Sequence, residues 1–143
     1  MSKSWSVVEA FDHFNGAMCK NPGWSWSARD SSGCTVVLAL WQHMFDYRSR
    51  PATYSTFGQS DAEKLGNKER IENLKWARDH CRGLFRVVIL VVKDKKAERW
   101  EAAVRYPTRL IMRLVELDET TGEFRAEVVT ATSASRGEPP KEA

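Results

Sequence analysis

The sequence predicts a single α+β domain that contains a mixed, partly closed sheet of five strands and two to three helices. Apolar, β-branched runs bounded by turn residues predict the strands. Segments with apolar residues at helical spacing lie between those runs. The two kinds of segment follow the order α-β-β-loop-α-β-α-β-β, which favours local hairpins within one sheet. A chain of 143 residues is long enough to bury most of its apolar surface without disulfides or metals.

The N-terminal part of the chain predicts a helix and two strands. Ser4 or Ser6 is placed to cap a first helix, and Asn15-Gly16 is a typical helix end. Strands are expected at about 24–29 and 34–41, where apolar and aromatic residues flank a turn sequence.

The central part predicts a long helix followed by a buried strand. Asn67 is expected to cap this helix, which continues to about Cys81 and stops at Gly83. The segment 85–92 is almost entirely apolar, which is typical of a central strand covered on both faces. At 100° per residue, the residues predicted to pack on that strand are Ile71, Leu74 and Ala77.

The C-terminal part predicts a short helix and a hairpin. The helix is expected over 95–104, and strands 110–117 and 124–129 are expected to pair across the turn 118–122. Glu116 and Glu127 are close enough in that hairpin to neutralise Arg113 and Arg125. The domain is expected to cover residues 1–130, and residues 131–143 are expected to form a disordered tail.

Composition excludes several classes of protein. The net charge of +3 and the pI near 8.8 permit contact with nucleic acid without indicating a strongly basic binding domain. No apolar run approaches the roughly 20 residues of a membrane span, and the N-terminus does not read as a signal peptide. No metal-ligand spacing occurs, so neither a metal nor a cofactor is expected. The three scattered cysteines favour a reducing cytoplasm: Cys19, Cys34 and Cys81.

The motif Trp24-Ser25-Trp26 is the most informative local feature of the sequence. Residues i and i+2 of a strand point to the same face, so both indoles should share one side of the sheet. Trp41 ends the next apolar run, and a hairpin between the two runs would bring three tryptophans close together. Clustered indoles either fill a core or form a stacking surface for a flat or cationic ligand.

The segment 42–60 has no clear period, and an irregular connection of this length often borders a functional cleft. It contains two tyrosines and two arginines suited to a ligand: Tyr47, Tyr54, Arg48 and Arg50. His43 and Asp46 are its acid–base candidates. On the main helix, Arg70 and Arg78 fall on the core-facing arc, where a guanidinium must snorkel, pair with a carboxylate or meet an anionic ligand.

Four stretches of the chain carry a resemblance. The runs 21–28, 36–41, 71–81 and 117–127 resemble a group of uncharacterised bacterial proteins of similar length, and the resemblance covers most of the chain. The order of strands and helices and the early tryptophans are similar to the PUA-like superfamily. That superfamily includes EVE and YTH modules, which hold a modified or flipped base against aromatic side chains. The similarity implies a pseudo-barrel and a base-binding role, and it transfers no site residue.

These observations favour a cytoplasmic, non-enzymatic module that binds nucleic acid or a nucleotide. The residues expected to stack a base are Trp24, Trp26 and Trp41, helped by Tyr47 or Tyr54, and those expected to hold phosphate are Arg48, Arg50 and Arg78. Two alternatives remain. The same residue types mark protein interfaces, so the chain could be an inhibitor or accessory factor from a mobile element. A small-molecule enzyme would use His43 and Asp46.

Overall fold

The computed structural model describes residues 5–21, 25–30, 35–56, 65–97 and 100–129. Its elements in chain order are α1 (Val7–Asp12), β1 (Ser27–Arg29), β2 (Val36–Trp41), a 3-10 helix (Gln42–Met44), β3 (Phe45–Asp46), β4 (Thr53–Ser55), α2 (Leu65–His80), β5 (Leu84–Val92), β6 (Ala102–Leu117) and β7 (Phe124–Val128). The α+β class is confirmed. Among these described elements, no helix is long and apolar enough to cross a membrane. The expected tail 131–143 lies outside the described residues.

Within the described ranges, the sheet contains seven strands in the order β1-β2-β5-β6-β7-β4-β3. β2 and β5 are parallel, and the other neighbouring pairs are antiparallel. The predicted strands correspond to β1, β2, β5, β6 and β7. The predicted count of five was wrong because the segment 42–60 adds β3 and β4, which are two and three residues long. Strands this short are below the length at which an alternating pattern can be recognised.

The larger core lies between the sheet and α2. Leu74 and Ala77 of α2 are fully buried in it. They share this core with three alternate residues of β5: Phe85, Val87 and Ile89. β5 lies between β2 and β6, so the prediction of an interior strand is confirmed.

A second core lies on the opposite face of the sheet, under α1. Phe11 and Phe14 are buried there against Val37 of β2 and Val88 of β5. The N-terminus of α1 is closed by a capping box, in which Ser6 and Glu9 bond each other's backbone N–H groups. This confirms Ser6 as the cap. β5 is therefore covered on both faces, as its apolar sequence predicts.

The long helix α2 differs from its sequence prediction in where it begins and in which face is buried. It begins at Leu65, so Asn67 lies within its first turn and is not the cap. Asn67 instead donates from Nδ2 to the carbonyl of Thr121, 2.8 Å away, and its Oδ1 accepts from Nη2 of Arg70 at 3.2 Å. Ile71 is only partly buried, since the buried arc is centred near Ala77 and includes Asn73.

The connection between β5 and β6 is a hairpin rather than the helix expected over 95–104. Asp94 accepts a hydrogen bond from the backbone N–H of Lys96 at 3.0 Å, which stabilises a turn there. The backbone N–H of Lys93 bonds the carbonyl of Glu101, and β6 then begins at Ala102. The local turn chemistry of Asp94 overrides the helix-forming lysines that follow it.

The β6–β7 hairpin agrees with its prediction. Leu117 pairs with Phe124, and the Asp118 carboxylate accepts bonds from two backbone N–H groups of the turn. The arginines on the two strands are neutralised as expected, through the ion pairs Arg113–Glu127 and Arg125–Glu116. This sheet face therefore does not present an unpaired basic patch at those positions.

Leu74→Ala is expected to lower the free energy of unfolding by about 2–5 kcal/mol, because it leaves a cavity in the larger core. Urea denaturation measures the loss. Ile71→Ala on the same helix is the matched control and should cost clearly less, since its side chain is partly exposed. Equal stability of the Leu74 variant and the parent would contradict this packing.

Gly122→Ala is expected to destabilise the fold by more than Gly16→Ala. Both glycines have positive φ, 84° and 74°, so both substitutions introduce the left-handed strain of roughly 1–2 kcal/mol. Only at Gly122 would the new Cβ also collide with the Asn67 side chain. Thermal melts of the two variants and of the double variant Asn67→Ala/Gly122→Ala test this. The double variant should lose less stability than the sum of the losses caused by Asn67→Ala and Gly122→Ala alone. Additive losses would argue against the contact.

Candidate functional site

The end of β2 is fixed by a bond from across the sheet. The backbone N–H of Trp41, the last residue of β2, donates to the hydroxyl of Tyr54 in β4 at 3.2 Å. That hydroxyl also lies 3.6 Å from the sulfur of Met44, in the 3-10 helix that follows β2. The chain direction at Trp41 is therefore set by a buried side chain of a different hairpin.

Three rings meet at this end of the sheet, and we call Trp41, His43 and Trp100 the aromatic group. The centroids of Trp41 and Trp100 are 5.5 Å apart, with the ring planes at 69°. His43 lies 4.4 Å from Trp100 at 78° and 6.2 Å from Trp41 at 58°. All three side chains are partly buried. The rings are thus mutually inclined, a geometry that holds each one firmly while leaving part of the surface open.

His43 is enclosed by this group. Both ring nitrogens are covered and have no hydrogen-bond partner among the described residues. Burial lowers the pKa of His43 below its ordinary value, and the positive charge of Lys95 lowers it further. The imidazole is therefore neutral at pH 7, and it acts as a flat ring rather than as a cation.

Lysines border the aromatic group. The indole Nε1 of Trp100 donates to the carbonyl of Lys95 at 3.0 Å, which fixes the ring against the β5–β6 hairpin. Lys93 pairs with Glu101 at 3.5 Å. Lys95 and Lys96 are exposed and form no ion pair with the described part of the chain. The rim of the group thus presents the side chains of Lys95 and Lys96 to solvent.

Trp26 lies apart from this group, against α2. The guanidinium of Arg70 is 5.0 Å from the Trp26 ring and 5.0 Å from the Phe124 ring, and its Nη2 donates to Asn67. Arg70 is 7% exposed, so it is held between rings rather than snorkelling to solvent. No ring contact joins Trp26 and Trp41 among the residues described, and Trp24 lies outside them.

The two predicted tyrosines have different environments. Tyr54 is 2% exposed and belongs to the larger core, so its predicted role in stacking a base is corrected to a structural one. Tyr47 is 65% exposed and stacks on Phe45, with centroids 5.6 Å apart. Burial and the neighbouring Tyr106 raise the pKa of Tyr47, so its hydroxyl is neutral at physiological pH.

The three predicted phosphate-binding arginines also differ. Arg48 and Arg50 are exposed on the β3–β4 hairpin and form no ion pair with described residues. Arg78 is paired with Asp79 at 3.1 Å and with Glu119 at 2.7 Å. Because those two carboxylates compensate its charge, Arg78 is better explained as a link between α2 and the β6–β7 turn than as a phosphate ligand.

In the described ranges, no group of side chains is arranged for acid–base catalysis or metal binding. Asp46 accepts a bond from the backbone N–H of Arg48, and the nitrogens of His43 have no partner there, so the two residues do not form a dyad. Burial raises the pKa of the Cys19 thiol. No group of three or more His, Cys, Asp or Glu suited to a metal occurs among the described residues.

A groove of about 390 Å³ lies on the α1 side of the sheet. Its lining residues are His13, Phe14, Asn15, Thr35, Arg86, Thr108 and Arg109. None belongs to the segment 42–60, so the expectation that this segment borders the functional cleft gains no support from the groove and stays a prediction. Trp100 was not among the site residues predicted from the sequence. Its signal was an indole beside a lysine-rich stretch, but that stretch was expected to form a helix.

Comparison of the chain with protein-family models, with curated proteins and with solved structures found no match.

The stability of the protein is expected to fall as the pH drops below about 6.5, the pKa of an unperturbed histidine. The folded state keeps His43 neutral, whereas the unfolded chain takes up a proton there, so acid favours unfolding. The free energy of unfolding at pH 8 and pH 5 measures the effect.

His43→Phe keeps a ring and should show a smaller loss of stability between the two pH values than the parent. Lys95→Gln should also reduce the loss, with Lys68→Gln on the exposed face of α2 as the charge control. A loss in His43→Phe as large as in the parent would show that His43 does not titrate in this way.

Proposed function

We propose that the protein is a binding module for single-stranded or locally unpaired nucleic acid. A base would stack on the exposed parts of the Trp41 and Trp100 rings. The observation that carries the proposal is the aromatic group itself, in which two indoles and a neutral imidazole lie beside two exposed lysines. Stacking contributes roughly 1–3 kcal/mol per base and tolerates any sequence, because every base has a π-face.

Positive charge near the aromatic group supports the same function. Lys95 and Lys96 lie on the hairpin that carries Trp100. Arg48 and Arg50 lie on the hairpin that follows Trp41 through the 3-10 helix. Phosphate contacts from such exposed cations fix the position of a strand, while the rings hold its bases. Trp26 would extend the stacking surface only if the bound strand continued toward α2.

The connectivity of the chain supports a partly closed, PUA-like sheet. In a flat sheet β2 and β4 would lie four steps apart, about 19 Å at roughly 4.8 Å per step. A tyrosine side chain cannot span that distance, yet the Tyr54 hydroxyl bonds the Trp41 backbone. The 3-10 helix, which is only three residues long, also joins β2 to β3, although β3 is the last strand in the sheet order. Both contacts support a strongly curled sheet over a flat one.

Trp100→Ala is expected to weaken binding of a labelled oligothymidylate of about 12 nucleotides by roughly tenfold or more, because one stacking partner is lost. Fluorescence anisotropy at low salt measures the affinity, and quenching of tryptophan emission reports the contact. Trp100→Phe should retain most of the affinity. Met18 is 75% exposed and lies outside the aromatic group, so Met18→Ala is the control for truncation of a surface side chain. Equal binding by Trp100→Ala and the parent would reject the stacking role.

Salt dependence separates a nucleic-acid ligand from an apolar protein partner. The slope of log Kd against log salt should fall by about 1.4 in Lys95→Gln/Lys96→Gln, at about 0.7 for each phosphate contact on a single strand. Lys68→Gln/Arg82→Gln removes the same charge from the α2 side and should leave the slope nearly unchanged. Absence of binding to DNA and RNA oligonucleotides at low salt would favour the protein-partner alternative.

A further inference from the structure

The groove on the α1 side of the sheet is built around an irregularity in β6. Arg86 of β5 pairs with Ile111, whereas Val88 pairs with Pro107, so the residues between Pro107 and Ile111 oppose Val87 alone. The resulting bulge is held by Thr108, which is 6% exposed. Its hydroxyl donates to the carbonyl of Val87 at 2.9 Å and accepts from the backbone N–H of Leu110 at 3.1 Å. Bulges of this kind redirect side chains and are frequent beside functional sites.

Arg86 is the central cation of the groove. Its Nε donates to the carbonyl of Leu110 at 3.3 Å, and its guanidinium lies 5.1 Å from the Phe14 ring. It is partly buried and has no carboxylate within ion-pair distance in the described part of the chain. Burial lowers the pKa of Arg86. A partly buried cation without a counter-ion costs free energy, which a bound anion would offset.

The remaining lining residues are also suited to an anion. Arg109 is exposed, forms no ion pair with described residues, and is placed at the groove by the bulge. His13 and the Asn15–Thr35 pair, in which the amide donates to the hydroxyl at 2.9 Å, complete the polar wall. No carboxylate of the described residues lines the groove. We propose that the groove binds a phosphate group, held by the guanidinium groups of Arg86 and Arg109.

The phosphate site and the aromatic group occupy different ends of β5. Arg86 lies near the start of the strand, whereas Leu90, four residues further on, pairs with Trp41. At about 3.3 Å per residue this separates them by about 13 Å. The proposal therefore stands independently of base stacking. The volume of about 390 Å³ leaves room for a phosphate that belongs to a larger molecule.

Calorimetric titration of the full chain at constant ionic strength tests the site. Inorganic phosphate and adenosine 5′-monophosphate represent small-molecule sources, and an oligothymidylate with or without a 5′-phosphate represents the end of a nucleic acid. Because Arg109 is exposed, the variant Arg109→Gln should fold normally. Arg86→Met removes the central cation while keeping an unbranched side chain. Arg82→Gln, in the exposed turn after α2, removes the same charge away from the groove.

At least one phosphate-bearing probe is expected to bind, with affinity reduced about tenfold or more in Arg109→Gln and Arg86→Met and unchanged in Arg82→Gln. Binding of the small probes would identify a metabolite-type ligand, and a preference for the 5′-phosphorylated strand would identify a nucleic-acid end. The proposal is overturned if none of the probes binds, or if all three variants lose affinity equally. Loss of affinity in Arg86→Met alone, with Arg109→Gln unchanged, would also overturn the two-arginine site.

Discussion

The burial of polar side chains on α2 is the constraint on which the rest of the structure depends. Asn67, Glu69, Arg70 and Asn73 are each 7% exposed or less. A buried polar group without a partner costs about 1–3 kcal/mol, so the docking of α2 depends on the partners that these side chains meet, even though Oε1 of Glu69 has none among the described residues. Asn67 bonds the β6–β7 turn, Glu69 accepts from the backbone of Lys20, and Asn73 donates to Ser27 of β1. One helix is thereby bonded both to β1, at one end of the strand order, and to the β6–β7 turn.

The two candidate sites lie on the sheet that α2 organises. β5 is covered by α2 on one face and by α1 on the other, so little of its length is accessible. The aromatic group forms where β2 ends, and the phosphate groove forms where the β6 bulge interrupts the ladder. In both places regular pairing stops and side chains gain room to face solvent. Function is proposed at the interruptions of the sheet, while its regular part supplies rigidity.

The sequence predicted the features that depend on local chemistry. The buried strand 85–92, the cap Ser6 and the β6–β7 hairpin each follow from a pattern within a few residues. Two of its errors share a cause, since Asn67 and the two strands of 42–60 depend on partners far along the chain. The aromatic group shows the same limit. Trp41 was expected beside Trp26, but its ring partner among the described residues is Trp100, brought from the β5–β6 hairpin.

The partners of α2 also bear on the order in which the chain folds. Its bonds to Lys20, Ser27 and Thr121 close loops of 49, 46 and 54 residues, in both chain directions. Contacts between such distant segments are costly in chain entropy until other contacts have formed. The helix carries a glycine, Gly66, in its first turn and few apolar residues in its first half, so it has little stability by itself. We therefore expect the β5–β6–β7 meander to assemble first and α2 to consolidate late, with refolding on the timescale of milliseconds or longer.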